Sequence, residues 1–398
     1  MTSSEEDHPT RRDFGKVAAL AALATAVPRG GCRAMSGGDF DITLFGADPT
    51  GISFSDAAIA DAVTMAIKNS RGIFIPPGRF KLANQLAYTL PAGALAFCLE
   101  GAHSKLSSLY WPEAGGGISG AHQANTQPFS LKNLALLTGA AGGGTAFSVT
   151  NASGASNVLD VSDISNVAIK GADGGNLADY WSIGLAATDF SYINSRGLSV
   201  VGGSAGGTIA IDLSAPGSEV SAQYIFNFEQ ANFEVVDTAF LLGDWVQGVN
   251  LAHSNIGGRL GISLPAGAPG TVQRDQIQLT IADNQFNMTD AAILANAAFP
   301  DILFHDNLIL SPSGGNGVIL NVAERGSLHD NHYIALGAGT GTAILIGAPG
   351  YGGLSGIVHD ELIEAYAVGV DQTLAVPPWM DPATANMRYI GCTANTKR

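Results

Sequence analysis

Phe304-His305-Asp306-Asn307-Leu308-Ile309 is the stretch that decides the fold, because the same phrase recurs along the C-terminal half of the chain. It returns as Leu328-His329-Asp330-Asn331-His332-Tyr333 and as Val358-His359-Asp360-Glu361-Leu362-Ile363, and a fainter copy, Ile281-Ala282-Asp283-Asn284-Gln285-Phe286, precedes it. The four Asp residues follow one another at steps of 23, 24 and 30 residues. Self-similarity at such a period predicts stacked repeats, each of which buries its apolar face only against its neighbours.

Each copy has the pattern of a β-strand rather than of a helix. Apolar and polar residues alternate, Gly, Asn or Pro closes each run, and no helix-length stretch separates the copies. A coil of that size predicts one turn of a single-stranded right-handed parallel β-helix, which is an all-β solenoid. Because stacked strands lie about 4.8 Å apart, we expect the three His residues to fall in register as a ladder, and the three Asp residues that follow them to form a second one.

The composition suits one long solenoid domain. Of the 398 residues 46% are hydrophobic and only 13% are charged, which excludes a disordered chain, and the 51 Gly suit a fold with many tight turns. A solenoid grows without splitting into domains because each coil contacts only its neighbours. The formal net charge of −15 argues against a nucleic-acid partner, because the field of the protein would repel phosphate.

The N-terminus has the pattern of an export signal. Thr10-Arg11-Arg12-Asp13-Phe14-Gly15-Lys16 precedes an uncharged run, Val17 to Val27, that is too short to span a bilayer. This resembles the twin-arginine signal of bacteria, which implies export of a folded protein. We therefore expect residues 1–35 to be a signal peptide and residues 36–398 to be the β-helix domain of a periplasmic, secreted or lipid-anchored protein. The Gly31-Cys32 step resembles a lipoprotein cleavage site, so membrane anchorage through a lipidated Cys32 is the alternative to a soluble product.

Two further cysteines, Cys98 and Cys392, stand near opposite ends of the chain. A disulfide needs Cα atoms within about 7 Å of each other, so a solenoid predicts that both are free, buried thiols.

Residues 40–82 predict an N-terminal cap. A short strand runs into the turn Gly46-Ala47-Asp48-Pro49-Thr50-Gly51, and Ser53 to Asp56 supplies the residues that start helices. The apolar residues that follow fall on one helical face: Ile59, Ala62, Val63, Ala66 and Ile67. Ile73-Phe74-Ile75-Pro76-Pro77-Gly78-Arg79-Phe80 is then a buried strand that prolines interrupt.

These three motifs resemble the N-terminal segment of the pectate-lyase-superfamily β-helices, a group that includes polygalacturonase-like and rhamnogalacturonase-like enzymes and some phage tailspikes. The resemblance implies that the helix covers the first coil and shields an open sheet edge. It also implies a polysaccharide substrate in a groove along an outer sheet, with acidic residues on neighbouring coils doing the chemistry. At the other end, Pro377-Pro378 is expected to end the solenoid, which leaves residues 377–398 as a C-terminal tail.

Polygalacturonase-type enzymes of that group use an Asn-x-Asp, an Asp-Asp, a Gly-His-Gly and an Arg-x-Lys motif. This sequence has no Asp-Asp pair and no His between glycines, and Arg259-Leu260-Gly261 lacks the Lys. This departure argues against polygalacturonase activity and leaves hydrolysis to other carboxylates.

Elimination from a uronate needs a base beside the sugar carboxylate and a cation that neutralises it. The His ladder offers the base, and the Asp ladder either orients it or binds Ca²⁺. The candidate catalytic residues are therefore His305, His329, His359, Asp306 and Asp330, and the candidate cations are Arg325 and Arg259.

A second patch lies earlier in the chain. Alternation sends Asn227 and Glu229 to one face of a strand, and Trp245 is a candidate platform for a sugar ring. Glu229 is the candidate catalytic carboxylate of this patch and Asn227 a candidate substrate ligand. The alternative is that the Trp packs in the core.

The ladders also have structural interpretations. Asn284, Asn307 and Asn331 have the pattern of a turn ladder, since Asn tolerates left-handed backbone and pairs with its stacked copies. The Asp residues are then turn caps, whereas His has no turn role of its own.

Taken together, the sequence predicts an exported enzyme, a lyase or a glycoside hydrolase, that acts on a uronate-containing polysaccharide. The alternative is a non-catalytic carbohydrate-binding or cell-envelope solenoid. No zinc-type site is predicted, Ca²⁺ is the one cofactor that the acidic ladder suggests, and both a monomer and a trimer are compatible with the fold.

Overall fold

The computed structural model describes residues 39–153, 160–214, 223–243, 246–265, 278–296, 301–312, 314–323, 325–336, 341–349, 355–359, 361–366, 368–372, 386–390 and 393–395. The predicted export signal, with Cys32, lies outside the described residues, and so do Trp245 and Asp360.

The fold is the right-handed parallel β-helix that the repeat predicts. One side is a sheet of thirteen parallel strands, which we name sheet A. Its strands are Phe40–Asp41, Ile73–Ile75, Phe97–Gly101, Phe129–Lys132, Ser162–Ser165, Ile193–Arg196, Gln223–Glu229, Val246–Ala252, Gln278–Ala282, Asp301–His305, Arg325–His329, Ser355–His359 and Asn386–Ile390.

A second sheet of twenty strands forms the remaining sides of each coil. Its first ladder, B1, follows sheet A along the chain and contains Gly78–Lys81, Ser107–Trp111, Ala135–Thr138, Ala168–Gly171, Ser199–Val201, Leu308–Ser311, His332–Ala335, Leu362–Glu364 and Thr393–Asn395. Its second ladder, B2, contains Leu86–Leu90, Ile118–His122, Thr145–Asn151, Ile183–Thr188, Ile209–Ser214, Val318–Ala323, Thr342–Pro349 and Val368–Gln372. Three long strands run through both ladders: Asn232–Leu242, Asn255–Leu264 and Gln285–Ala295.

One coil shows how the interior is filled. Phe228 points inward from sheet A, Phe233 from ladder B1 and Phe240 from ladder B2, and all three are buried. The Phe240 ring lies 5.0 Å from the Phe228 ring and 5.4 Å from the Phe233 ring, both edge-on. Each buried Phe stabilises the coil by about 2 kcal/mol, so the alternation seen in the sequence is the core of the solenoid.

Sheet A joins ladder B1 through a short turn that repeats coil after coil. Its first residue has left-handed backbone, with φ between 52° and 70°, at Asn133, Asn166, Gly197, Gln230, His253, Asp283, Asp306 and Asp330. The next residue is buried inside the turn; in chain order these residues are Leu134, Val167, Leu198, Ala231, Ser254, Asn284, Asn307, Asn331 and Glu361. We call these two series the turn column and the inner column.

The predicted Asn ladder is present in the inner column. The Nδ2 atom of Asn284 donates to Oδ1 of Asn307 at 3.0 Å, and Asn307 Nδ2 donates to Oδ1 of Asn331 at 2.9 Å. Asn331 Nδ2 in turn donates to Oε1 of the buried Glu361 at 3.1 Å. The left-handed residue in these coils is the preceding Asp and not the Asn, because the amide is needed inside the turn.

The N-terminal helix spans Asp56–Asn69 and buries Ala58, Ile59, Ala62, Val63 and Ala66, close to the predicted face. Ser55 occupies the N-cap position without a capping hydrogen bond; its hydroxyl accepts the backbone N–H of Asp48 instead. Asp48 binds its own turn, where the Thr50 hydroxyl, together with backbone N–H groups, lowers the pKa of the Asp48 carboxyl to about 2. The turn and helix start therefore have a structural role, as predicted.

Two findings differ from expectation. Cys98 is disulfide-bonded, so the prediction of a free thiol there is wrong; the chain has two other cysteines, and both lie outside the described residues. Beyond Pro377-Pro378, Asn386–Ile390 and Thr393–Asn395 continue sheet A and ladder B1 in register, so strands persist where a tail was expected.

Among the residues that the structure describes, no helix is both long and apolar enough to cross a membrane.

Candidate functional site

Two His–Asp pairs stand side by side at the edge where sheet A meets its turn. His305 Nδ1 lies 2.8 Å from Oδ2 of Asp306, and His329 Nδ1 lies 2.9 Å from Oδ2 of Asp330. Both His side chains are 23% exposed, while the Asp side chains are 53% exposed. The strand ends at the His and the Asp adopts left-handed backbone, so each carboxylate folds back onto the preceding imidazole.

The His ladder forms as predicted. The His305 and His329 rings stack 4.9 Å apart and nearly parallel, at an interplanar angle of 6°. The backbone register continues to His359, which pairs with His329, although the His359 side chain lies outside the described part of the structure. The Nε2 atom of His305 makes no hydrogen bond to any described residue. The stack therefore carries at least one imidazole nitrogen that is unpaired within the described part of the protein.

Glu229 lies further along the same edge, in a row of charges that sequence reasoning did not assemble. Its carboxylate is 3.8 Å from Nε of Arg196 and 4.0 Å from Nδ1 of His253. His253 Nε2 is in turn 3.8 Å from Oδ2 of Asp283. Arg196, Glu229 and His253 are about half exposed or more, so the row is a solvated surface rather than a closed pocket.

A sequence signal for His253 did exist. Leu251-Ala252-His253-Ser254-Asn255 is a degenerate copy of the repeat, in which His takes the turn-column position that Asp holds later. Arg196 had no such signal, because its coil has Gly197 at the turn and Leu198 in the inner column.

Asn227 belongs to a second amide ladder, this one on the outer face of sheet A. Asn227 Nδ2 donates to Oδ1 of Asn194 at 2.7 Å, and Asn250 Nδ2 donates to Oδ1 of Asn227 at 2.8 Å. The row lies two residues before Arg196 and Glu229 on their strands, so the amides and the charges share one face.

The structure places Arg259 elsewhere. It lies in the long strand Asn255–Leu264, where its guanidinium donates from Nε to Asp237 at 2.7 Å and from Nη1 to Asp290 at 2.7 Å. The hydrogen bond to Arg259 lowers the pKa of the Asp237 carboxyl, and the bond to Asp237 raises the pKa of the guanidinium. Arg259 is thus already bound to two carboxylates and is not part of the sheet A edge.

Two other predicted residues are located only in part. Arg325 begins the strand that ends at His329, four residues or about 13 Å away along sheet A. The side chain of Arg325 lies outside the described part of the structure. The whole of Trp245, the predicted sugar platform, also lies outside it. Both assignments stay predictions.

The carboxylates of the edge were candidates either for Ca²⁺ binding or for orienting the imidazoles. Among the described residues, no three His, Cys, Asp or Glu side chains come together in a way that could hold an ion. The carboxylates of Asp306 and Asp330 each contact their own His. This geometry is the one expected if they orient the imidazoles, and the assignment stays a prediction.

Ladder B2 carries a pair of carboxyls of a different kind. Asp212 faces outward from Ile209–Ser214, with Ala186 and Leu241 beside it on the flanking strands, and this burial raises the pKa of its carboxyl. Asp189 follows the neighbouring strand at a left-handed φ of 55°, and burial raises the pKa of its carboxyl too. Its Oδ1 atom is buried without a hydrogen-bond partner. Sequence reasoning missed both residues, because neither belongs to a repeated motif.

Comparisons with known proteins extend the description of the fold. No family model matches the chain, and no curated protein matches it. Among solved structures it is similar to the Agl-KA catalytic domain, at 12% identity over 93% of this chain and 70% of that one, with a TM-score of 0.46. It is also similar to the Dettilon tailspike protein, at 11% identity over 88% and 68% and a TM-score of 0.49, and to a family 28 exopolygalacturonase of Yersinia enterocolitica, at 10% over 90% and 78% and a TM-score of 0.34. At these identities and scores the likenesses carry no argument of their own. The class of parallel β-helix proteins follows from the strand pairing of this chain itself.

Proposed function

We propose that the protein cleaves glycosidic bonds of a polysaccharide that lies along the outer face of sheet A, at the edge formed by the turn column. The observation that carries the proposal is the contact of 2.8 Å between Asp306 and Nδ1 of His305, together with an Nε2 atom that has no hydrogen-bond partner among the described residues. A carboxylate that fixes one imidazole nitrogen orients the other as a base. Imidazole is the side chain that exchanges a proton near neutral pH.

The first candidate reaction is elimination from a uronate. His305 Nε2 takes the proton beside the sugar carboxylate, a carbon–carbon double bond forms, and the glycosidic oxygen leaves and takes a proton from water. The sugar carboxylate needs a positive neighbour in this step. Arg196 is four strand spacings from His305, or about 19 Å, so the assignment goes to Arg325 or to added Ca²⁺.

The second candidate reaction is hydrolysis, and a different observation favours it. A glycosidase needs a carboxyl that holds its proton at the working pH so that it can protonate the leaving oxygen. Burial raises the pKa of Asp189 and Asp212, whereas the Asp residues of the turn column are half exposed. In this alternative the polysaccharide lies on the outer face of ladder B2 instead of sheet A, and Asp189 or Asp212 is the proton donor. The two candidate reactions therefore depend on different residues.

The experiment follows both products on a panel of acidic and neutral polysaccharides. Residues 36–398 are assayed with calcium and with chelator, and ultraviolet absorbance is measured beside reducing ends. Elimination predicts new absorbance that His305→Ala abolishes, with His103→Ala, an exposed His outside the edge, as the matched control. Hydrolysis predicts reducing ends without absorbance, which Asp212→Asn or Asp189→Asn removes.

Silence in both assays, with retention of the protein on a polysaccharide gel, would leave the third candidate, a binding solenoid. The observation that favours it is the outer ladder of Asn194, Asn227 and Asn250, since a row of amides offers hydrogen bonds to sugar hydroxyls at every coil.

We further propose that the protein reaches its substrate after export by the twin-arginine route. The motif at residues 10–16 supports this proposal. Replacement of Arg11-Arg12 by Lys-Lys should hold the precursor in the cytoplasm, and normal export of that variant would contradict the proposal.

A further inference from the structure

We propose that the outer face of ladder B1 in the first coils is a second glycan-binding surface, one that takes an acidic polysaccharide chain and is separate from the proposed catalytic edge. We name this surface the B1 patch and define it as Phe54, Arg79, Lys81, Tyr110, Leu137 and Lys170. The inference does not rest on the proposed reaction.

The cations of the B1 patch are free where other cations are paired. Lys132, Arg196 and Arg259 each lie beside an Asp or Glu. Arg79 and Lys170 are exposed and Lys81 is half-buried, and none of these three forms an ion pair in the described part of the protein. In a chain of formal charge −15, a local group of unpaired cations attracts a polyanion that the rest of the net charge repels.

Strand register puts the patch on one face. Lys81 pairs with Tyr110, Tyr110 with Leu137 and Leu137 with Lys170, so these four side chains follow one another across four strands. The residues between them along the strands, such as Phe80, Leu109 and Leu136, are buried inside the solenoid. The alternation of a β-strand therefore sends all four patch residues outward.

Aromatic rings hold two of the cations in place. The Arg79 guanidinium carbon lies 3.7 Å from the centroid of the Tyr110 ring, and Lys81 Nζ lies 4.4 Å from that of Phe54. Such contacts orient a cation without neutralising it. Asp56, beside the end of this strand, accepts hydrogen bonds from the backbone of Ala83 and Asn84 and from the Asn84 side chain. The positive groups are thus pre-organised, which lowers the cost of ordering them on a ligand.

The shape of the patch indicates an extended ligand. Lys81 and Lys170 are three strand spacings apart, or about 14 Å. The surface between them is an open sheet face with the Tyr110 and Leu137 side chains at its centre, and it is not a cavity that would enclose a single small anion. Charges at both ends and apolar groups between them match a chain of sugar rings that carries repeated carboxylates or sulfates.

The test measures binding of residues 36–398 to polygalacturonate, to dextran sulfate and to a neutral glucan by affinity electrophoresis. The variant Lys81→Gln/Lys170→Gln should weaken binding to an acidic polymer about tenfold, and high salt should weaken binding of the unmodified protein. The matched control, Lys68→Gln/Lys132→Gln, makes the same change in net charge on the helix and on sheet A and should change affinity less than about twofold. Retention on polygalacturonate or on dextran sulfate alone identifies carboxylate or sulfate as the recognised group.

Three results would overturn the proposal: equal loss in the two double variants, equal affinity for the neutral glucan, or binding to anionic phospholipid vesicles but to neither acidic polymer. His305→Ala should keep the affinity for acidic polymers, and Lys81→Gln/Lys170→Gln should keep any cleavage of short oligosaccharides. A failure of the binding proposal is thereby distinguished from a failure of the proposed reaction.

Discussion

The same turn is built in two ways along this solenoid. From Leu134 to Ala231 the inner column is apolar, and from Ser254 to Glu361 it is polar. The residue that precedes it nevertheless has the same left-handed backbone from Asn133 to Asp330, in both halves. The comparison shows that this turn can form with either an apolar or a polar residue buried inside it. Apolar packing in one half and hydrogen bonding in the other stabilise the same backbone conformation.

The two solutions differ in how they respond to change. A buried Leu in the first half contributes through the area it removes from water, about 2 kcal/mol, largely independently of the next coil. An amide in the second half satisfies groups on both neighbouring coils, so its loss leaves partners unpaired in each of them. The polar half should therefore be the more sensitive to single substitutions.

The largest effect is expected for Asn307→Leu, which puts the residue of the apolar half into the polar one. The Oδ1 atom of Asn307 accepts the backbone N–H of Asn284, and its Nδ2 donates to the carbonyl oxygens of Ile281 and His305. Leu satisfies none of these buried groups, so the free energy of unfolding should fall by about 3 kcal/mol. Denaturant unfolding measures the loss, and hydrogen exchange should show it in the coils around residue 307 rather than in the first coils.

The matched control is Leu198→Ala in the apolar half. It leaves a cavity but no unpaired amide, and its loss should appear in the coils around residue 198. If Asn307→Leu proved as stable as the unmodified protein, the ladder would be a consequence of the turn and not a cause of its stability.

The same difference explains how much of the molecule could be predicted from sequence. The polar half shows a repeat because Asp-Asn at the turn is demanded by left-handed backbone and by the ladder. In the apolar half the inner column contains Leu, Val or Ala, and the turn column contains Asn, Gly or Gln. Because these residues replace one another freely, the coil is conserved in structure but no sequence repeat is recognisable. Fold class and register could therefore be predicted from one half alone.

The candidate site was only half accessible to such reasoning. The His305–Asp306 and His329–Asp330 pairs join neighbours in sequence, and the repeat placed them together. The contacts of Glu229 with Arg196 and His253 join three different coils, and of these three residues only His253 stands in a degenerate copy of the repeat. The fold was therefore needed to bring them together. The buried carboxyl of Asp212 depends on the residues beside it on the flanking strands, which periodicity does not specify.

The first coils also contain a buried imidazole, that of His122, whose pKa is shifted by the fold. His122 lies inside the first coils, with Nε2 3.0 Å from the Tyr88 hydroxyl and Nδ1 2.7 Å from the carbonyl oxygen of Gln127. Burial lowers the pKa of His122 to about 4. In the unfolded chain the same imidazole binds a proton near pH 6.5, so between that pH and about pH 4 the unfolded state holds one proton more than the folded state. The free energy of unfolding should therefore fall by about 2 kcal/mol as the pH is lowered from about 7 to about 5. Chemical unfolding at the two pH values measures this loss.

Two variants separate His122 from the other titrating groups. His122→Phe should be less stable at neutral pH, because it leaves two polar partners unpaired, but its stability should change little over the same pH interval. Tyr88→Phe keeps the imidazole buried and should keep the pH dependence. If the free energy of unfolding of His122→Phe fell with pH as steeply as that of the unmodified protein, other groups would be responsible for the acid sensitivity.

The smallest effect concerns the junction between the halves. Asp237 lies in the coil of Ala231, Arg259 in that of Ser254 and Asp290 in that of Asn284, so the Arg259 ion pairs tie the last apolar coil to the first polar ones. The Arg259 side chain is 43% exposed, so Arg259→Gln should lower the free energy of unfolding by only about 1 kcal/mol, and by less at high salt. Arg259→Lys should lose about half as much, because it keeps the charge without the forked geometry that reaches both carboxylates. A loss that is independent of salt would mean that Arg259 acts through packing of its stem, and the junction would then depend on the same kind of interaction as the apolar half.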